Sequence, residues 1–289
     1  MKRFLIMIFM LAGCQSATPP APEIPVATRG VPGWVPPGFV IPQNSATAPV
    51  FEDPEIIFTL RPGDCSSRAG NRGPSDCATG AMRSVISTGS VWESERDWRL
   101  GQQFLFSFEF RIDPALAYPG YRTPEAVLTD GFSSGLSIAR WEGEGGTRNQ
   151  LFDLKVDATR GVTFLGRTCV PPSGFGGWHR FNMRIRWAND DTGFIEVRCD
   201  GSLHSGLPVY AASGIPTNQA LHCFRGNNCE PGVSKDPRRF NMQLGILFEP
   251  QIVNGRAVSP RIPPDGVTVR MRRLVVRRLY VIFGRVRSL

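Results

Sequence analysis

Arginine supplies nearly all the positive charge in this 289-residue sequence. Of 33 lysines and arginines, only Lys2, Lys155 and Lys235 are lysine. A guanidinium is a planar fork of N–H donors that matches carboxylates and sulfates better than an ammonium does. Anion recognition is therefore the first chemistry the composition offers, although codon bias alone yields the same count. The three histidines are scattered. His179 follows Trp178 at a strand start, where a structural hydrogen bond suits it, while His204 and His222 sit in loop-like segments. No CxxC or HExxH spacing occurs, so neither a metal centre nor a cofactor is expected. Gly131-Phe132-Ser133-Ser134-Gly135 matches the G-x-S-x-G elbow of serine hydrolases. That elbow requires a helix directly after the serine turn, and the residues around it read as short strands, so a plain turn is expected.

The cysteines carry a different chemistry. Residues 1–14 read MKRFLIMIFMLAGC, with a basic start at Lys2 and Arg3 and eight apolar residues from Phe4 to Leu11. Eight is too few for a bilayer span, which needs about 20. Leu11-Ala12-Gly13-Cys14 resembles a bacterial lipobox. That resemblance implies cleavage and lipidation at Cys14 and, with Gln15 following, sorting to the outer membrane if the cell is Gram-negative. Six cysteines remain: Cys65, Cys77, Cys169, Cys199, Cys223 and Cys229. An even number in an exported chain reads as disulfides. Local spacing favours Cys65–Cys77 and Cys223–Cys229, leaving Cys169–Cys199, but sequence alone cannot choose among the possible pairings.

These residues need a scaffold. Residues 15–50 hold nine prolines, with Glu23 and Arg29 the only charges, and are expected to form an extended spacer. One folded domain is then expected over residues 51–289. Its composition, 41% hydrophobic and 20% charged, excludes a disordered chain. From residue 51 onward the hydrophobic period is two. Phe104, Phe106, Phe108, Phe110 and Ile112 share one face of a strand whose other face carries Gln103, Ser107, Glu109 and Arg111. Phe181, Met183, Ile185 and Trp187 alternate with Asn182, Arg184 and Arg186; Ile195, Val197 and Cys199 follow after an Asn189–Gly193 turn. Val267, Val269 and Met271 repeat the pattern. Short antiparallel strands at this spacing predict an all-β fold, a two-sheet antiparallel jelly roll of the concanavalin A-like kind.

Residues 58–86, FTLRPGDCSSRAGNRGPSDCATGAMRSVI, resemble the opening of the heparin-lyase-like polysaccharide lyases, which run F-E-V-R-P-G-D-C, then D-C, then R-S-E-L. Arg61 to Cys65, Asp76-Cys77 and Arg83-Ser84 carry the match. Trp98 to Asp113, Gly177 to Gly201 and Phe240 to Phe248 are similar to later strands of that family. The resemblance implies a groove that binds an acidic, uronate-containing polysaccharide, and a β-elimination if the site is active. That reaction needs a group to neutralise the uronate carboxylate, a base for the C5 proton and an acid for the leaving oxygen.

The family's catalytic positions are altered. Val85 stands where the family has Glu, Arg140 and Glu142 replace Gln and His, and Ile246-Leu247-Phe248 replaces I-Y-R. A rebuilt site would use Arg140 to hold the carboxylate and Glu142 as base, with His179, Tyr118, Tyr121 and Tyr210 as candidate donors. Arg83, Arg184 and Arg186 are the expected anion contacts, and Trp141 the expected sugar platform. A glycan-binding module without catalysis and a structural envelope lipoprotein are the alternatives. Acidic polysaccharide is the expected partner, with the membrane engaged only through the lipid. Nucleic acid is excluded for an exported chain, and a monomer is expected. Without Lys2 and Arg3 the formal charge of +8 falls to +6.

Overall fold

The computed structural model describes residues 30–42, 47–65, 76–88, 100–117, 136–143, 150–157, 159–200, 207–217, 240–248, 251–253, 256–258, 262, 264–282 and 285–288. Its strands, in chain order, are β1 (Val50–Glu52), β2 (Glu55–Leu60), β3 (Met82–Ser87), β4 (Gln103–Ile112), β5 (Leu136–Gly143), β6 (Gln150–Asp157), β7 (Gly161–Phe164) and β8 (Arg167–Val170). There follow β9 (Trp178–Arg186), β10 (Phe194–Cys199), β11 (Tyr210–Ser213), β12 (Phe240–Phe248), β13 (Gln251–Val253), β14 (Arg256–Val258), β15 (Val267–Ile282) and β16 (Arg285–Ser288). The one α-helix among the described residues is a single turn, α1 (Asp76–Thr79). No described helix is long and apolar enough to cross a membrane.

Two antiparallel sheets face each other. One has eight strands in the order β1-β2-β15-β4-β9-β10-β11, with β16 on β15; the other has six, β3-β12-β5-β6-β7-β8. The chain crosses repeatedly between them, so strands adjacent in space come from distant parts of the sequence. This is the two-sheet jelly roll that the alternation predicted. The alternating residues of β4, β9 and β10 supply one wall of the core: Phe106, Phe108, Phe110, Phe181, Met183, Ile185, Ile195 and Val197 are all at most 1% exposed. The opposite wall comes from Leu136, Trp141, Phe152, Leu154, Phe164, Met242 and Leu244, each fully buried. Each such side chain stabilises by about 1.5–3 kcal/mol through removal from water. At the centre, Trp141 meets Phe106 edge-on at 5.8 Å and lies against Phe152 at 5.4 Å and Phe181 at 5.8 Å.

Two covalent staples hold this architecture. Cys169 on β8 bonds Cys199 on β10, tying one sheet to the other, and Cys65 bonds Cys77 of α1. Closing loops of this size restricts the unfolded chain by about 3 kcal/mol per bridge. Cys223 and Cys229 lie outside the described residues, as do Cys14 and the segment read as its signal. Part of the stretch read as spacer packs on the domain. Val35 and Phe39 are buried in the core cluster, and Val40 pairs with Ser87 at the edge of β3.

Candidate functional site

Two of the blocks that carry the lyase resemblance, on β3 and β12, meet in the six-stranded sheet beside β5, which holds the altered positions Arg140 and Glu142. β3, which holds Arg83, lies beside β12, β12 beside β5 and β5 beside β6. On β5 the core takes Leu136 and Ile138, then Ala139 and Trp141, because the register to β6 shifts between Ser137 and Ala139; past that shift the alternation sends Arg140 and Glu142 to the outer face. Register extends this into rows across the sheet. Gln243 of β12 stands opposite Arg140, and Arg140 stands opposite Asp153 of β6. Asp153 accepts a 2.5 Å hydrogen bond from Ser137 Oγ. Gln243 Nε2 donates to Glu142 Oε2 at 2.9 Å, and Arg140 Nη1 lies 3.9 Å from Glu142 Oε1.

These groups sit below the surface. Arg140 is 7% exposed, Asp153 4% and Ser137 1%, although all are on the sheet's outer side. A buried guanidinium beside carboxylates depends on them, because leaving either partner alone in that setting is costly. Gln243 Oε1 is buried and accepts no hydrogen bond. Several other buried side-chain atoms among the described residues are likewise without a partner, and what sets Gln243 apart is its place beside Arg140 and Glu142. β12 is also bulged here: its register to β5 shifts between Leu244 and Leu247. Gly245 makes the bulge possible. Its φ of +130° suits only glycine, and a Cβ would lie 2.2 Å from Ser84 O and 2.6 Å from the Phe58 ring.

The other expected site residues disperse. Trp141 is fully buried between the sheets and offers no ring to a sugar, which corrects its reading as a stacking platform. Neighbours on a strand point to opposite faces, so Arg140 outward requires Trp141 inward. Arg83 reaches the six-stranded outer face, but its guanidinium holds both carboxylate oxygens of Asp76, which is 1% exposed. That pair clamps α1 and its disulfide to β3 and leaves Arg83 with a structural task. Arg184 and Arg186 lie on β9, on the outside of the eight-stranded sheet, so they share no groove with Arg140. Arg184 covers the Phe194 ring at 6.0 Å.

His179 is also on β9. Its Nε2 donates to Gly174 O at 2.7 Å and its Nδ1 lies 3.3 Å from Asp200 Oδ2. It anchors the turn before β9 and has no part in the Arg140 cluster, which corrects its reading as a catalytic donor. Tyr210 is on β11 of the eight-stranded sheet, edge-on to Phe164 at 5.9 Å. Tyr118, Tyr121, His204, His222 and the Gly131–Gly135 motif lie outside the described residues. Sequence reasoning missed Gln243 and Asp153. The alternation of Met242, Leu244, Ile246 and Phe248 contained a signal for Gln243; Asp153 had none, because its place beside Arg140 depends on strand order.

The chain resembles solved polysaccharide lyases. A glucuronan lyase from the fungus Trichoderma reesei aligns over 82% of this chain and 86% of its own, with 15% identity and a TM-score of 0.41. Alginate lyase A1-II', a member of polysaccharide lyase family 7, covers 85% of both chains at 10% identity and a TM-score of 0.42. Alginate lyase Aly36B covers 81% of this chain and 84% of its own at 15% identity, also with a TM-score of 0.42. No protein-family model matches the sequence. No curated protein matches it either.

Proposed function

We propose that this chain is a lipid-anchored, outer-membrane glycan-binding protein. In this reading the outer face of the six-stranded sheet holds an acidic, uronate-containing polysaccharide. The observation that carries it is the row Gln243–Arg140–Asp153, with a buried guanidinium at its centre and an open acceptor, Gln243 Oε1, at its side. Arg140 would take the uronate carboxylate, and Gln243 Oε1 would accept from a neighbouring sugar hydroxyl. Two of the resembling sequence blocks, on β3 and β12, lie in the same sheet as Arg140. Cys14 would carry the lipid, and the segment after it would hold the domain at the membrane.

Cleavage by β-elimination is the second reading, and the closeness of Arg140 and Glu142 favours it. Arg140 would neutralise the carboxylate, which acidifies the C5 proton, and Glu142 would remove that proton. The leaving oxygen also needs an acid, and no His or Tyr among the described residues shares this face. Binding is therefore the leading reading.

The test is titration of the full chain with alginate, polyglucuronate and polygalacturonate, while absorbance of unsaturated product is followed. Binding should weaken by about tenfold or more in Arg140→Gln, the loss expected for one charge-assisted pair. Glu142→Gln, a milder change at a less buried residue, guards against misfolding and should weaken binding less. No affinity for any of the three polymers would overturn the proposal. Unsaturated product that disappears in Glu142→Gln would establish the lyase.

A further inference from the structure

The outer face of the eight-stranded sheet carries a second concentration of arginine that the reading above does not use. Across β2, β15, β4 and β9, one row in register reads Glu55, Arg272, Glu109, Arg180. Its charges alternate, as cross-strand pairing favours. Glu109, 7% exposed, accepts from Arg180 at 2.6 Å, Arg272 at 2.8 Å and Arg273 at 2.9 Å. Two consecutive arginines reach the same carboxylate because β15 is bulged there, with Arg273 at φ 54°. A non-glycine residue in that region is strained by about 1–2 kcal/mol, and strain of this kind collects where side chains must be aimed.

The next row breaks the alternation. It reads Ile57, Arg270, Arg111, Trp178. Arg270 and Arg111 are directly opposite, an arrangement of like charges that destabilises a sheet. Arg270 donates sideways to Glu55 at 3.0 Å, while exposed Arg111 has no acidic partner among the described residues. Trp178 closes the row, with the Arg272 guanidinium 4.0 Å over its ring. The patch thus sets Arg111, Arg180, Arg270, Arg272 and Arg273 against Glu55, Glu109 and Asp200, which accepts from Arg180 N at 2.9 Å, an excess of two positive charges.

We propose that the Arg111–Arg270 pair is a second anion site, taking the carboxylate or sulfate of an acidic glycan on the face opposite the Arg140 cluster. An anion at this pair supplies the counter-charge that Arg111 lacks, Arg270 already having Glu55, and the Glu109 cluster holds neighbouring guanidiniums in place for the next group along a chain. A glycan fits better than a bilayer. Glu55, Glu109 and Glu196 stand between the arginines on this face. A continuous anionic membrane surface would press against Glu55 and Glu196, whereas a single chain can follow the Arg111–Arg270 row.

Calorimetric titration of the full chain with galacturonate hexamer and with a short dextran sulfate tests this. The double variant Arg111→Gln/Arg270→Gln should lose at least tenfold in affinity at one site and leave any Arg140-dependent site intact. Arg160→Gln/Arg167→Gln removes the same charge from the β6–β7 turn and the start of β8 and should leave affinity unchanged. Equal losses in both double variants would reduce the effect to net charge and overturn the site. So would parental affinity in Arg111→Gln/Arg270→Gln, or a phenotype confined to vesicles of anionic phospholipid. Loss of the Arg140-dependent site alone bears on the first reading and leaves this one standing.

Discussion

The two outer faces of the sandwich use arginine in opposite ways. On the six-stranded sheet, charged side chains are drawn below the surface and matched closely. Arg140 is 7% exposed between Asp153 and Glu142, and Asp76, at 1%, takes both ends of Arg83. On the eight-stranded sheet the arginines stand in solvent and outnumber the acids, three of them sharing Glu109. A buried charge is worth what its partner gives it, because removing the partner strands it away from water. An exposed charge is screened and individually cheap, and its effect lies in the field it adds to. The first face therefore specifies geometry, and the second offers attraction.

If that contrast holds, the largest loss should follow removal of an acid from the buried face. Asp153→Ala leaves Arg140 without the carboxylate across from it and Ser137 Oγ without its acceptor. Urea unfolding should show a loss of about 3 kcal/mol. A loss under about 1 kcal/mol would mean that water reaches Arg140, and the two faces would then not differ in kind.

Glu109 comes next, since it is a buried acid on the exposed face. Burial pushes its carboxyl up, but the hydrogen bonds from Arg180, Arg272 and Arg273 outweigh burial and hold it at about 2, below its ordinary 4.5. Its folded pKa lies below the unfolded one, so the stability it contributes is complete above 4.5 and is lost as pH falls toward 2. Glu109→Gln should cost about 2 kcal/mol at neutral pH. It should also flatten the acid limb of the stability profile within that window. An unchanged acid limb would show that the three arginines are not gathered on this carboxylate in solution.

The same contrast governs what the sequence could disclose. The run from Phe104 to Ile112 announces its strand because one face is buried and the other is wet, so polarity records the pleat. β15 is legible only from Val267 to Met271. Past the bulge at Arg272–Val275 the phase slips by one, leaving Val275 outward opposite Ser107 and Val276 inward opposite Phe106. The Arg140 site was half legible. Its strand and polarity could be read, and the period of two already forbade Trp141 from sharing its face. That Asp153 and Gln243 flank Arg140, while Arg184 and Arg186 lie on the other sheet, follows from strand order. Order is set by packing between distant segments, and local alternation carries no trace of it.

The smallest expected effect is the sharpest test of the contrast, because it should have the opposite sign. Arg111 is exposed and faces Arg270 directly, with no acid of its own among the described residues. Arg111→Gln removes one member of a like-charged pair and breaks no ion pair among the described residues, so stability should change by less than about 0.5 kcal/mol. At low salt the change should be a gain, since the repulsion is relieved. Added salt screens the same repulsion in the parent and should erase the difference, because the Debye length shrinks from about 30 Å at 0.01 M to about 10 Å at 0.1 M. Melting temperatures of parent and variant across that range should start apart and converge. Melting curves that stay parallel, or a variant that melts lower throughout, would mean that Arg111 already has a stabilising partner, and the field on this face would then be weaker than its arginines suggest.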